Sequence, residues 1–206
     1  MKLSKSLIAV GAVLALGLIL NPRADAGAPA ETKTETKPAE TKADAKRDVV
    51  TVKGKDFGFT VHQPDGWQGD TEAAKKYHGN VLFTPKSEAD RAAGTMILVS
   101  ADHKFDENVA LRLQSTIDSY RRKYPQMQVG EVVDVKHPLY QTYVKALSQP
   151  GVFHQYVAYL NPGSLQPYTV FVALSKKPDA PTPAEIAAFK DILESLRMAP
   201  PTVKPE

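Results

Sequence analysis

The sequence predicts an α+β fold, an α/β/α sandwich built on a central antiparallel sheet. Three observations carry that reading. The continuous apolar run Met96-Ile97-Leu98-Val99 belongs to a strand covered on both faces. A long amphipathic helix follows it, from about Glu107 to Lys123. Four strand-like segments joined by short turns then lead to a last helix with an explicit start. A sheet with one helix before its meander and another after it can bury both faces.

Taken in order, Met1 to Ala26 has the layout of a secretory signal. Lys2 and Lys5 precede an apolar run of 15 residues, Ser6 to Leu20. That run is shorter than the roughly 20 residues of a spanning helix, and Asn21-Pro22 breaks it. Ala24-Asp25-Ala26 then offers small residues to a signal peptidase, with cleavage expected after Ala26. An uncleaved signal anchor is the alternative and the only membrane association expected. Either way the domain lies outside the cytoplasm, periplasmic or secreted.

The chain has no cysteine, which excludes a lipid-modified N-terminal cysteine, a disulfide scaffold and thiol redox chemistry. Removing residues 1–26 leaves 23 basic and 22 acidic residues, a net charge of +1. Such a balance gives no support for nucleic-acid binding, which calls for a basic face. From Gly27 to Asp48 the composition falls to Ala, Glu, Thr, Lys, Pro and Asp. A segment this poor in large apolar side chains cannot offset its own ordering entropy, and it reads as a disordered linker.

Apolar periodicity begins at Val49. Val49 to Lys53 and Phe57 to Gln63 read as strands joined across Gly54-Lys55-Asp56, and Pro64-Asp65-Gly66 supplies the next turn. A weaker helix is expected at Thr71 to Tyr77, then strands at Val81 to Thr84 and Thr95 to Ala101. In the long helix, Asp106 is placed to cap and Val109, Leu113, Ile117, Tyr120 and Tyr124 form one stripe, read as core. Arg121-Arg122-Lys123 at its end suits the negative pole of the helix dipole. The meander is expected at about Gln126 to Val135, Tyr140 to Leu147, Val152 to Leu160 and Tyr168 to Leu174, with turns at Pro150-Gly151 and Asn161-Pro162-Gly163. Thr182-Pro183-Ala184-Glu185 combines a capping box with proline at the first helical position. Ile186, Phe189, Ile192, Leu193 and Leu196 complete that helix, Pro200-Pro201 stops it, and 199–206 is a flexible tail.

The element order and two local patterns carry a resemblance. Phe57-Gly58-Phe59-Thr60-Val61-His62-Gln63-Pro64-Asp65-Gly66-Trp67 and Phe189-Lys190-Asp191-Ile192-Leu193-Glu194-Ser195-Leu196 make residues 49–198 similar to the PsbP/Mog1 superfamily, in its bacterial exported members. The resemblance implies the sandwich fold and a non-catalytic role as a binding or assembly module, here a monomer acting on an envelope protein. It implies no particular partner.

The sequence contains no Gly-x-Ser-x-Gly elbow, His-Glu-x-x-His helix, phosphate-binding Gly-rich loop or EF-hand loop. Ser100, Asp102, His103 and Asp106 form the most catalytic-looking cluster, but a nucleophile, base and orienter normally come from separated segments. With Glu107, the set Asp102, His103 and Asp106 could instead hold a divalent metal; no other cofactor is expected. Trp67 reads either as a binding aromatic or as a plug closing one end of the sheet, the commoner use of a tryptophan after a tight turn. His154 and Tyr156 share one face of a strand, and with Tyr143 they could line a pocket for an apolar or aromatic ligand. Cross-strand packing is the bland account of the same tyrosines.

Overall fold

The structure, a computed structural model, describes residues 48–55, 57–103, 108–132, 135–163, 166 and 168–199, with His103 described by its backbone alone. The expected signal sequence, the linker apart from Asp48, and residues 200–206 of the tail lie outside those residues, as does Asp106.

A hairpin opens the domain, formed by β1 (Val49–Lys53) and β2 (Gly58–His62). Gly54 N–H donates to Phe57 O at 2.8 Å to close its turn. This hairpin does not enter the main sheet. Its partner is β10 (Arg197–Met198), giving a three-stranded sheet of order β1-β2-β10. The next turn holds Gly66 at φ +79 while Trp67 N–H donates to Pro64 O at 3.0 Å. Only glycine takes that conformation at little cost.

The turn delivers β3 (Trp67–Asp70), and Asp70 caps the short α1 (Thr71–Lys75), its Oδ1 accepting from Glu72 and Ala73 N–H at 2.8 Å each. Then follow β4 (Val81–Pro85), α2 (Glu88–Ala92), β5 (Met96–His103), α3 (Val109–Lys123), β6 (Gln128–Glu131), β7 (Gln141–Gln149), β8 (Phe153–Asn161), β9 (Tyr168–Lys176) and α4 (Pro183–Ser195). Seven strands form one sheet in the order β3-β4-β5-β9-β8-β7-β6, with every neighbouring pair antiparallel. The α+β class and the large antiparallel sheet are therefore as expected.

Several boundaries differ for identifiable reasons. α3 begins at Val109, and its cap is Asn108 rather than Asp106. Asn108 Oδ1 accepts from Ala110 N–H at 3.1 Å and Leu111 N–H at 3.3 Å. Asparagine caps as well as aspartate, and burial of Val109 sets the first helical residue. β6 is confined to Gln128–Glu131, and Val135 belongs to the opposite core. α4 stops at Ser195, ahead of the prolines, because Leu196 turns extended and the chain pairs with β2 as β10. Its capping box is present as expected.

The sheet buries both faces. On one, Val109, Leu113 and Ile117 of α3 pack on Leu147, Phe153, Val157 and Tyr159. On the other, Phe189, Ile192 and Leu193 of α4 share a core with Ile97, Val99, Val172 and Leu174, and with Phe59 and Val61 of the hairpin. Side chains as fully buried as Phe189 and Ile192 contribute about 1.5–3 kcal/mol each.

Candidate functional site

One helix cannot cover one face of this sheet. Seven strands at about 4.8 Å spacing span roughly 29 Å, whereas a helix with its side chains is roughly 10–12 Å wide. α3 lies over β7 and β8, and α1 packs on β4. The link from α1 to β4 presses on the same face, since a Cβ at Gly79 would meet Leu98 Cδ1 at 2.3 Å. Between these two covers, Met96 and Leu98 of β5 and Phe171 of β9 are only half-buried. An open groove of about 560 Å³ lies above them.

Aromatic side chains dominate its walls. Tyr120, Tyr124 and Phe153 form a three-ring cluster, with centroids at 6.2 Å between the tyrosines and 5.9 and 4.7 Å to Phe153. Tyr77, 48% exposed, stands with them in the lining, as do Ser119, Ala173 and Ser175. Buried Gln155 donates its amide N–H to Ser175 Oγ at 2.9 Å, and its Oε1 has no hydrogen-bond partner among the described residues. Burial pushes the Tyr120 phenol up from its ordinary value, partly offset by the Gln155 side chain and by Lys123.

The charge of the groove is one-sided. Lys123, Lys176 and Lys177 line it and, among the described residues, no aspartate or glutamate does. Lys176 is committed elsewhere, to a buried ion pair with Glu185. Lys123 Nζ lies 5.3 Å from the Tyr124 ring centroid, a cation–π contact, and Lys177 is exposed.

The residues singled out from sequence do not converge. Trp67, 6% exposed, packs in the α4-side core and pairs with Pro85. It lies four strands from β8, roughly 19 Å at ordinary spacing, too far to share a site with His154 and Tyr156. Tyr156 contacts Phe189 of α4 at 6.0 Å, whereas Tyr143 packs on the α3 side opposite Tyr159. Alternation along the strands thus separates Tyr143 from Tyr156 by the thickness of the sheet. Of these four, only His154 lines the groove, at the end where β8 pairs with Lys176.

The Ser100 cluster is tied into a structural network. Ser100 Oγ donates to Asp102 Oδ1 at 3.1 Å, and Arg112 of α3 donates to Asp102 Oδ2 at 3.1 Å. Arg112 also lies 5.9 Å over Tyr159, whose hydroxyl meets Thr116 Oγ1 at 2.9 Å. Both oxygens of Asp102 are therefore engaged. Asp106 and the His103 side chain lie outside the described residues. Among the described residues, no group of three or more His, Cys, Asp or Glu side chains could hold a metal ion, and no helix is long and apolar enough to cross a membrane.

Tyr77, Tyr120, Tyr124, Phe153 and Phe171 are the groove residues that the sequence reading did not assemble. A signal existed: β5 and β9 are apolar on both faces, yet only one long helix precedes the meander. The chain matches no family model, and no curated protein matches it.

Proposed function

We propose that this chain is a non-catalytic exported binding module and that the groove between α3 and the β5–β9 face is where it binds. One observation carries the reading: an open cavity of about 560 Å³ with aromatic walls and an apolar floor. Its size and lining match those of small-molecule sites, which are concave, largely apolar and carry a few polar groups. The groove favours an organic ligand over an extended protein contact. The secretory signal and the PsbP/Mog1 resemblance support export and a binding role.

Ser119 is exposed and lines the groove, so Ser119→Trp fills it without touching the core. Thermal unfolding of the full chain with a panel of small aromatic and aliphatic compounds is the test. A compound at about 100 times its Kd should stabilise the protein by about 2.7 kcal/mol, and Ser119→Trp should abolish that shift. Equal stabilisation of both proteins places binding elsewhere. Specific recovery of an envelope protein by both forms alike supports the assembly-module alternative instead.

A further inference from the structure

We propose that the groove takes a soluble aromatic carboxylate, its ring system on the apolar floor and its carboxylate at the end marked by Lys123 and Lys177. This rests on the groove being the binding site.

The two lysines share one end of the groove. Lys123 closes α3, and the next residue, Tyr124, packs on Phe153 at 4.7 Å. Phe153 begins β8, where the neighbouring His154 is registered with Lys176 of β9, and Lys177 follows directly. The end of α3, the start of β8 and the exit from β9 therefore meet. Both residues line this end, and among the described residues the lining supplies no carboxylate to neutralise them. Lys176 does not add to them, because Glu185 holds it on the α4 side. An anionic head group is the charge complement of this end.

The body of the ligand follows from the walls. Aromatic rings bind other rings through offset or edge-to-face contacts with centroids about 4.5–7 Å apart. The Tyr120, Tyr124 and Phe153 cluster already uses that geometry internally, at 4.7 to 6.2 Å, and Tyr77 and Phe171 border the same space. A carboxylate suits the mouth better than a phosphate. Among the described residues no arginine lines it, and bidentate phosphate recognition is the task at which arginine excels, whereas lysine offers a point charge.

Calorimetric titration of the full chain at low ionic strength tests this, with 2-naphthoate, its neutral counterpart 2-naphthalenemethanol, and laurate as the aliphatic anion. Naphthoate should bind most tightly, about tenfold better than the alcohol. Lys123→Gln and Lys177→Gln are both at exposed positions. Each should weaken naphthoate about threefold, the range of an exposed ion pair, and leave the alcohol unchanged. Equal affinity for naphthoate and the alcohol, or naphthoate binding indifferent to both lysine changes, overturns the anionic assignment and leaves the groove reading standing. Laurate binding tighter than naphthoate overturns the aromatic assignment. Naphthoate binding that survives Ser119→Trp, or no binding of any of the three compounds, overturns the inference together with its site.

Discussion

Lys176 Nζ lies 3.0 Å from each carboxylate oxygen of Glu185, and both residues are only 8% exposed. The same carboxylate accepts from Thr95 Oγ1 at 2.7 Å and from Thr182 N–H at 2.6 Å. One buried carboxylate thus joins the end of β9, the entry to β5 and the cap of α4. Burial opposes its charge, but the Thr182 N–H, the Thr95 hydroxyl and the Lys176 ammonium outweigh that and hold its pKa below the ordinary value. Lys176→Met should cost about 3 kcal/mol in urea unfolding, because it strands a buried anion. Replacing Glu185 by Leu as well should recover much of the loss. A single variant with unchanged stability would show the pair to be idle.

The same linkage sets an acid limb. A lowered pKa means that the carboxylate's contribution is fully present above about pH 4.5 and is lost as the pH falls below it. Glu185→Gln should be less stable at neutral pH and should flatten the stability profile in this acid range. Parallel profiles for both proteins would count against it.

His137 contributes a second, higher window. Its Nδ1 accepts N–H bonds from Leu139 and Tyr140, both at 2.9 Å, so Nε2–H donates to Leu196 O at 2.9 Å. Its ring stacks on Tyr140 at 4.3 Å. Burial lowers its pKa most; the bond to Leu196 acts the other way, and the Arg197 charge lowers it further. Below about pH 6.5 the unfolded chain therefore takes up a proton that the folded chain refuses, and stability falls; above it the contribution is full and flat. Urea midpoints at pH 7.5 and 5.5 should differ less in His137→Gln than in the parent. An equal difference would remove His137 as the source.

Arg112 and Asp102 are 25% and 39% exposed, so solvent screens their attraction. With the Tyr159 contact included, Arg112→Ala should cost only about 1 kcal/mol. A loss of several kcal/mol would mean that the network carries far more of the α3 packing than its exposure allows.

Asn108→Ala should cost about 1 kcal/mol by removing the α3 cap. Circular dichroism melting reads that loss, and an unchanged melt would return the cap to another residue.

The fold is legible wherever a residue pattern has one physical outcome. Thr182-Pro183-Ala184-Glu185 starts a helix in any context, and Pro150-Gly151 places glycine, at φ +73, where a tight turn needs it. β3 is not legible, because Trp67-Gln68-Gly69-Asp70 has no apolar alternation and is a strand only through its pairing with β4. The candidate site was the least legible part. Periodicity shows which side chains of α3 face inward but not how far across the sheet the helix sits. That lateral position alone decides whether Tyr120 and Tyr124 pack entirely in core or wall a groove. The Tyr143, His154 and Tyr156 grouping failed on a related point: alternation within one strand can be read from sequence, but the face that a neighbouring strand shares with it depends on register.

The pairing of β5 with β9 also bears on how the chain reaches its native state. Ile97 is registered with Leu174, 77 residues further on. The middle of the sheet therefore cannot close until nearly the whole domain has been synthesised. Until then the apolar β5 has its β4 neighbour and no other, with one edge open to any strand it meets. Contacts this distant along the chain slow folding and prolong exposure to aggregation. The strand that floors the groove thus keeps one edge unpaired until β9 arrives.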